Sequence, residues 1–281
     1  MPFTTIRGAR LNYEVLGSDG PWVALSPGGR RDMGGVRWLG ERVSAAGHRV
    51  LLHDRRNCGA SDVVIDGEES EYEIWADDLH ELLAQLGTGP VYAGGASSGC
   101  RLSLLLALRH PRDVRGLLLW RVTGGPFAAE RLAENYYGQF IEQARRGGMA
   151  AVCGTEFFAE RIEANPANRD HLLTMDPARF IGVMSRWREY FVQSAQLPVI
   201  GATDAELASI QVPACVVPGN DWTHPRRVGE NAARLLPRAE LQILLPQDRD
   251  VDLATEDWDQ HQDELAALFV AFLGRHSAPA A

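Results

Sequence analysis

The sequence predicts an α/β fold with a mostly parallel central sheet, helices on both faces and one helical insertion. Three observations predict it. Short apolar runs alternate with longer amphipathic stretches along most of the 281 residues. From the second run onward, the short segments are nearly continuous in apolar residues, as in strands covered on both faces. The alternation also breaks once, after Pro126, where helical patterns follow one another without a buried strand.

In chain order, "FTTIR" and "RLNYEV" flank Gly8 and read as a hairpin that adds an antiparallel edge. "WVAL", "RVLLHD", "PVYAGG" and "RGLLLWRV" are the next strands. "WADDLHELLAQLG" reads as a helix, with Asp77 and Asp78 early and Gly87 just past its end. "RLSLLLALRHP" is a second helix. From Phe127 to about Ile210 the chain carries helical stretches such as "AAERLAENYYGQFIEQARR" and "PARFIGVMSRWREYFVQSA". "PACVVPG" and "ELQILLP" then resume the strand pattern. The implied organisation is a core over residues 1–126 and 211–275, a helical lid over 127–210 and a tail over 276–281.

Composition narrows the function classes. With 45% hydrophobic and 23% charged residues the chain is ordinary for a soluble globular protein. A net charge of −9 argues against a nucleic-acid surface, which needs clustered Lys and Arg. No apolar run reaches the length of a membrane span, and "MPFTTIRGARLNYEV" lacks a signal-peptide pattern. The four cysteines, Cys58, Cys100, Cys153 and Cys215, are far apart and form no C-x-x-C pair, so no metal site or disulfide framework is indicated. The expectations are reduced thiols in a cytoplasmic protein, a small-molecule substrate, no cofactor, no membrane or nucleic-acid partner, and room for a homo-oligomer.

The segment "YAGGASSGC" carries the chemistry. Gly95-Ala96-Ser97-Ser98-Gly99 reads as G-x-S-x-G between a strand and a helix. A serine hydroxyl is a weak nucleophile until a base removes its proton and donors hold the developing charge. A strand-to-helix turn places the serine at a strained apex, with the N–H of the next residue, Ser98, at a helix N-terminus facing the oxyanion. A glycine-rich turn can also simply pack tightly. Its position after a strand of an α/β chain favours Ser97 as the nucleophile.

With these motifs the chain resembles the α/β-hydrolase family, in its lid-bearing serine hydrolase branch. In "LSPGGRRDMGG", Pro27 stands where that family usually has histidine, Gly28 is kept, and the resemblance implies Gly29 as the second oxyanion donor. "DRRNCGASD", Asp54 to Asp62, is similar to the segment that follows the next strand in the family, with Asn57 where glycine is common. In "VVPGNDWTHP" the resemblance assigns the triad acid to Asp221, although Asp before a helix is also a favoured cap. Trp222 beside it reads as pocket wall or core.

The base is where the pattern departs. The family places a histidine after the last strand, in the order Ser, Asp, His. Four residues past Pro246 lies Asp250, eighteen before Leu273 lies Thr255, and the stretch between them contains no histidine. Of the eight histidines, His48, His110 and His276 sit at element ends far from the turn, His53 ends a strand, His80 lies within a helix and His171 lies in the insertion. His224, three residues after Asp221, and His261, at the start of the last helix, remain; His224 is the first choice. A triad without any histidine base stays open, with Asp250 an outsider, since an unperturbed Asp titrates near ~3.9.

The resulting expectation is a serine hydrolase cleaving a small ester, thioester or lactone through an acyl-enzyme on Ser97. Tyr136, Tyr137, Phe140, Trp187, Tyr190 and Phe191 would shape an apolar acyl pocket, most of them more plainly as core. The alternatives are a hydrolase-like binding protein or pseudoenzyme, and a non-hydrolytic lyase or cyclase on the same fold.

Overall fold

The computed structural model describes residues 2–277. Its sheet has eight strands: β1 (Phe3–Ile6), β2 (Ala9–Leu16), β3 (Trp22–Ser26), β4 (Arg49–His53), β5 (Val91–Ala96), β6 (Val114–Trp120), β7 (Ala214–Val217) and β8 (Ala239–Leu241). Their spatial order is β1-β2-β4-β3-β5-β6-β7-β8. Pairing is antiparallel for β1 with β2 and for β2 with β4, and parallel from β4 through to β8. The hairpin expected at Gly8 forms, with Arg7 and Gly8 both at positive φ.

The parallel strands bury both faces. Ala24, Leu51, Ala93, Leu117 and Val216 point into one apolar cluster, and their neighbours Val23, Leu25, Leu52, Leu118 and Val217 into the other. Period-two alternation between two dry faces is why these strands read as continuous apolar runs. Helices α1 (Arg37–Ala45) and α12 (Gln262–Ser277) cover the second face, with Leu39, Val43, Phe269 and Phe272 in its core. Helices α2 (Glu71–Leu86) and α3 (Ser98–Arg109) cover the first.

Between β6 and β7 the chain passes through α4 (Pro126–Ala133), α5 (Gln139–Cys153), α6 (Glu156–Ala164), α7 (Ala167–Leu173), α8 (Pro177–Gln193) and α9 (Asp204–Ser209). Among the described residues no strand of the central sheet falls in this stretch. Helix α10 (Arg226–Leu235) follows β7, and α11 (Thr255–Gln260) precedes α12.

Three expectations need correction. Helix α2 begins at Glu71, ahead of "WADDL", because Ser70 and Glu73 form a reciprocal capping box. The last strand is shorter than "ELQILLP": only residues 239–241 pair with β7, and Leu241 and Ile243 are exposed. An edge strand paired on one side can end early without leaving a buried backbone group unpaired. The final helix also runs on to Ser277, through part of the segment expected as a frayed tail; the rest, 278–281, lies outside the described residues.

Candidate active site

The register places four loops side by side. Ser26 pairs with Gly95, Ala96 with Trp120, and Trp120 with Val217, so β3, β5, β6 and β7 end together. The segments that leave them carry Gly28–Gly29, Ser97, Arg121–Thr123 and Asn220–His224. Loops at the carboxyl ends of parallel strands form the crevice in which open α/β sheets bind ligands.

Ser97 links β5 to α3 with φ 51° and ψ −106°, a left-side conformation that a non-glycine residue rarely adopts. The flanking glycines are required by contact. A Cβ on Gly95 would lie 2.5 Å from the Cα of Gly99, and one on Gly99 would lie 2.2 Å from the Ser26 carbonyl oxygen. The turn therefore closes only with small residues on either side, which is the physical content of G-x-S-x-G here. Ser98 opens α3, so its N–H is one of the four that have no partner within the helix.

The loop after β3 is held from below. Asp54 accepts from Asn12 Nδ2 (2.8 Å) and from the main-chain N–H groups of Met33 (2.7 Å) and Ala60 (2.9 Å). Gly29 has φ 56° and its carbonyl accepts from Arg55 Nη2 at 2.9 Å. Asn57, at the position where glycine is common, has φ 68°. Its buried amide accepts from Val64 N at 2.7 Å and donates to Glu71 at 2.9 Å. Asn tolerates the left-handed region better than most side chains, and here its amide is used as well. Glu71, also buried, further receives Arg30 Nη2 and the Tyr137 hydroxyl.

Asp221 and His224 lie on the loop after β7 and are both buried. Asp221 Oδ1 accepts from the His224 main-chain N–H and from Nδ1, each at 2.8 Å. Asp221 Oδ2 accepts from Ala254 N (3.1 Å) and Arg121 Nη2 (3.2 Å). A proton on Nδ1 facing the carboxylate leaves a lone pair on Nε2, and Nε2 is buried with no hydrogen-bond partner among the described residues. Burial, followed by the Arg121 charge, pushes the imidazole pKa down to about 4 against the opposing pull of Asp221. Burial opposes ionisation of Asp221 as well, but the bond from His224, Ala254 N–H and Arg121 bring its pKa down to about 2. The pair is thus neutral imidazole beside carboxylate at pH 7.

Ser97 and His224 line one cavity of about 310 Å³, together with Gly28, Gly29 and Tyr136. The Ser97 hydroxyl is bonded to Thr123 Oγ1 at 2.9 Å and makes no bond to His224. Thr123 had no place in the sequence reading. Its position just past the end of a central parallel strand is the signal that marks it. Arg121, also unanticipated, has φ 55° and carries the chain from β6 toward Thr123.

Other expected residues fall elsewhere. His261 sits at the α11–α12 junction with Nδ1 on the Asp257 carbonyl at 2.7 Å, and it is not among the residues that line the Ser97 cavity. Asp250 is exposed and also outside that lining. Of the six aromatics expected in the pocket, Tyr136 alone lines the Ser97 cavity; Tyr137, Trp187, Tyr190 and Phe191 line a second one, and Phe140 is core. Trp222 is 45% exposed and packs edge-on against Phe127, so it is not core; it lines a separate cavity with Phe127 and Arg226, outside that of Ser97.

Strand order, the Ser97 turn and its place at the strand ends define the class: the chain has the α/β-hydrolase fold. The model of the alpha/beta hydrolase fold matches residues 33–146. Over 113 residues the chain is 34% identical to an uncharacterized hydrolase, YraK, of Bacillus subtilis, a match covering 40% of this chain and 41% of that protein. It is 24% identical over 231 residues to a proline iminopeptidase of Neisseria gonorrhoeae, covering 70% of this chain and 73% of the relative. The crystal structure of the enol-lactonase from Burkholderia xenovorans LB400 has the same fold, with a TM-score of 0.65 at 20% identity over 97% of this chain and 100% of that one. No helix among the described residues is long and apolar enough to cross a membrane.

Proposed function

We propose that the protein is a serine hydrolase that cleaves a small ester, thioester or lactone through an acyl-enzyme on Ser97. The reading rests on one juxtaposition: a strained Ser97 and an unpartnered His224 Nε2 in one cavity, with Asp221 on the far nitrogen. The hydrolase designations of the sequence relatives support the reaction class.

In this reaction Ser97 Oγ leaves Thr123, bonds to the substrate carbonyl carbon and gives its proton to His224 Nε2. Asp221 holds the ring and stabilises the imidazolium that forms. The N–H groups of Ser98 and Gly29 receive the oxyanion. As the tetrahedral intermediate collapses, the leaving group departs with the proton from His224. A water molecule then attacks the acyl carbon and gives a proton to His224; as that intermediate collapses, the bond to Ser97 Oγ breaks, the proton passes from His224 to Oγ, and the acid leaves. The helices inserted between β6 and β7 act as a lid, to which Tyr136 contributes a wall of the cavity.

The test is labelling with a fluorophosphonate, followed by mass spectrometry of the peptide that carries Ser97. Labelling at Ser97, absent in Ser97→Ala, is the expected result. A second reading, a hydrolase-like binding protein, is favoured by the bond of the Ser97 hydroxyl to Thr123 in place of His224. It takes over if Ser97 remains unlabelled and no short acyl ester is turned over.

A further inference from the structure

One helical turn past Ser97, Arg101 lines a cavity of about 350 Å³ that shares no lining residue with the Ser97 cavity. Its walls include Leu105, Leu108, Trp187, Tyr190, Phe191 and Ile200. Arg101 is 2% exposed. Its Nη2 donates to the hydroxyls of Tyr72 and Ser98, while Nε and Nη1 are buried without a partner. The guanidinium lies over the rings of Tyr72 and Phe191, 4.1 and 4.4 Å from their centroids.

What is missing is an anion. Arg101 forms no ion pair among the described residues, whereas buried Arg30 is matched by Glu71 and buried Arg56 by Asp78. The other charged residues of the lining are committed elsewhere: Arg109 bonds Asp77, Glu69 and Glu73, and the exposed Glu206 caps α9 through Thr203. Two hydroxyls and two ring faces do not offset a buried positive charge. A buried guanidinium with unpartnered N–H groups, in a cavity wall that also holds Leu105, Leu108 and Trp187, is matched by a carboxylate attached to an apolar body.

We propose that this cavity is a binding site for a small amphipathic carboxylate, with the anion on Arg101 and the apolar part against Leu105, Leu108 and Trp187. Ser98 Oγ, bonded to both Tyr72 (2.9 Å) and Arg101 (3.2 Å), connects the site to the turn that carries Ser97. Binding here does not depend on the hydrolase reading.

The experiment is calorimetric titration of the intact protein with 4-phenylbutyrate and with its neutral amide. The acid is expected to bind saturably and at least tenfold more tightly than the amide, and to bind Ser97→Ala as well as it binds the wild type. Arg101→Met, which exchanges an unpaired buried charge for an apolar chain, should stay folded and weaken the acid at least tenfold. Leu105→Trp, which fills the cavity and leaves Arg101 in place, should abolish binding of both. The proposal is overturned if the acid does not bind, if the amide binds equally well, or if both variants bind like the wild type.

Discussion

Asp221 and His224 form a closed loop in which one carboxylate oxygen accepts both the main-chain N–H and the imidazole Nδ1 of the same histidine. If His224 is the base, three residues of separation suffice to orient it, with no need for a histidine on the loop after β8. If Asp221 fixes the tautomer and stabilises the imidazolium, Asp221→Asn should lower kcat by roughly 10³- to 10⁴-fold with the fold intact. Steady-state kinetics on a short acyl ester, with circular dichroism as the control, checks this.

The pH profile follows from the depressed imidazole pKa. With His224 at about 4, Nε2 keeps its lone pair through the mildly acidic range. The acid limb of kcat/KM should accordingly fall near pH 4, well below the ordinary 6.5 of histidine. A limb at 6.5 would place the base in a more solvated setting than the one observed.

Stability should follow the same groups. Because folding lowers the His224 pKa, the unfolded chain binds more protons between pH 6.5 and about 4, so stability is full above 6.5 and declines as pH falls toward 4. Buried His53, lowered to about 3 by burial and then by Arg55, adds to the decline in the same direction. Asp221, lowered to about 2, contributes stability above pH 3.8 that is lost as pH falls through 2. Urea midpoints at pH 7, 5.5 and 4.5 should fall in that order, and less steeply in His224→Ala.

Thr123 holds the Ser97 hydroxyl in the resting state at 2.9 Å. A bond present before the reaction and broken during it costs rate. Thr123→Val removes about 1 kcal/mol of such stabilisation, so fluorophosphonate labelling should accelerate by up to about fivefold. Slower labelling would assign Thr123 a helping role in place of a restraining one.

Asn57 separates two contributions at one site. Its backbone is left-handed and its amide bonds both Val64 N and Glu71. Asn57→Gly keeps the conformation and loses the bonds, while Asn57→Ala loses both. Urea unfolding should give a cost of about 1–3 kcal/mol for glycine and about 1 kcal/mol or more beyond that for alanine.

Much of this was legible in the sequence because strand and turn obey local rules. Continuous apolar runs marked β3 to β7, and the small residues around Ser97 marked a turn that only Gly95 and Gly99 can close. The final strand was overread because "ELQILLP" is apolar, while its pairing depends on a neighbour on one side alone. The start of α2 was missed because its signal, Ser70 with Glu73, lies ahead of the apolar periodicity. The bond between Ser97 and Thr123, 26 residues apart, depends on the parallel register of β5 and β6. The aromatic residues of the insertion divided between two cavities for the same reason: helix packing, and no local pattern, decides which face a ring lines.

Whether His224 is the base for Ser97 is read from the rate of short-ester hydrolysis by His224→Ala, set against Ser97→Ala and His261→Ala. His224→Ala should fall to within a few-fold of Ser97→Ala, because residues that act as one unit lose nearly the whole effect when either is removed. His261→Ala should keep wild-type activity. Near-normal hydrolysis by His224→Ala, in a preparation whose Ser97→Ala variant is inactive, would contradict that role for His224.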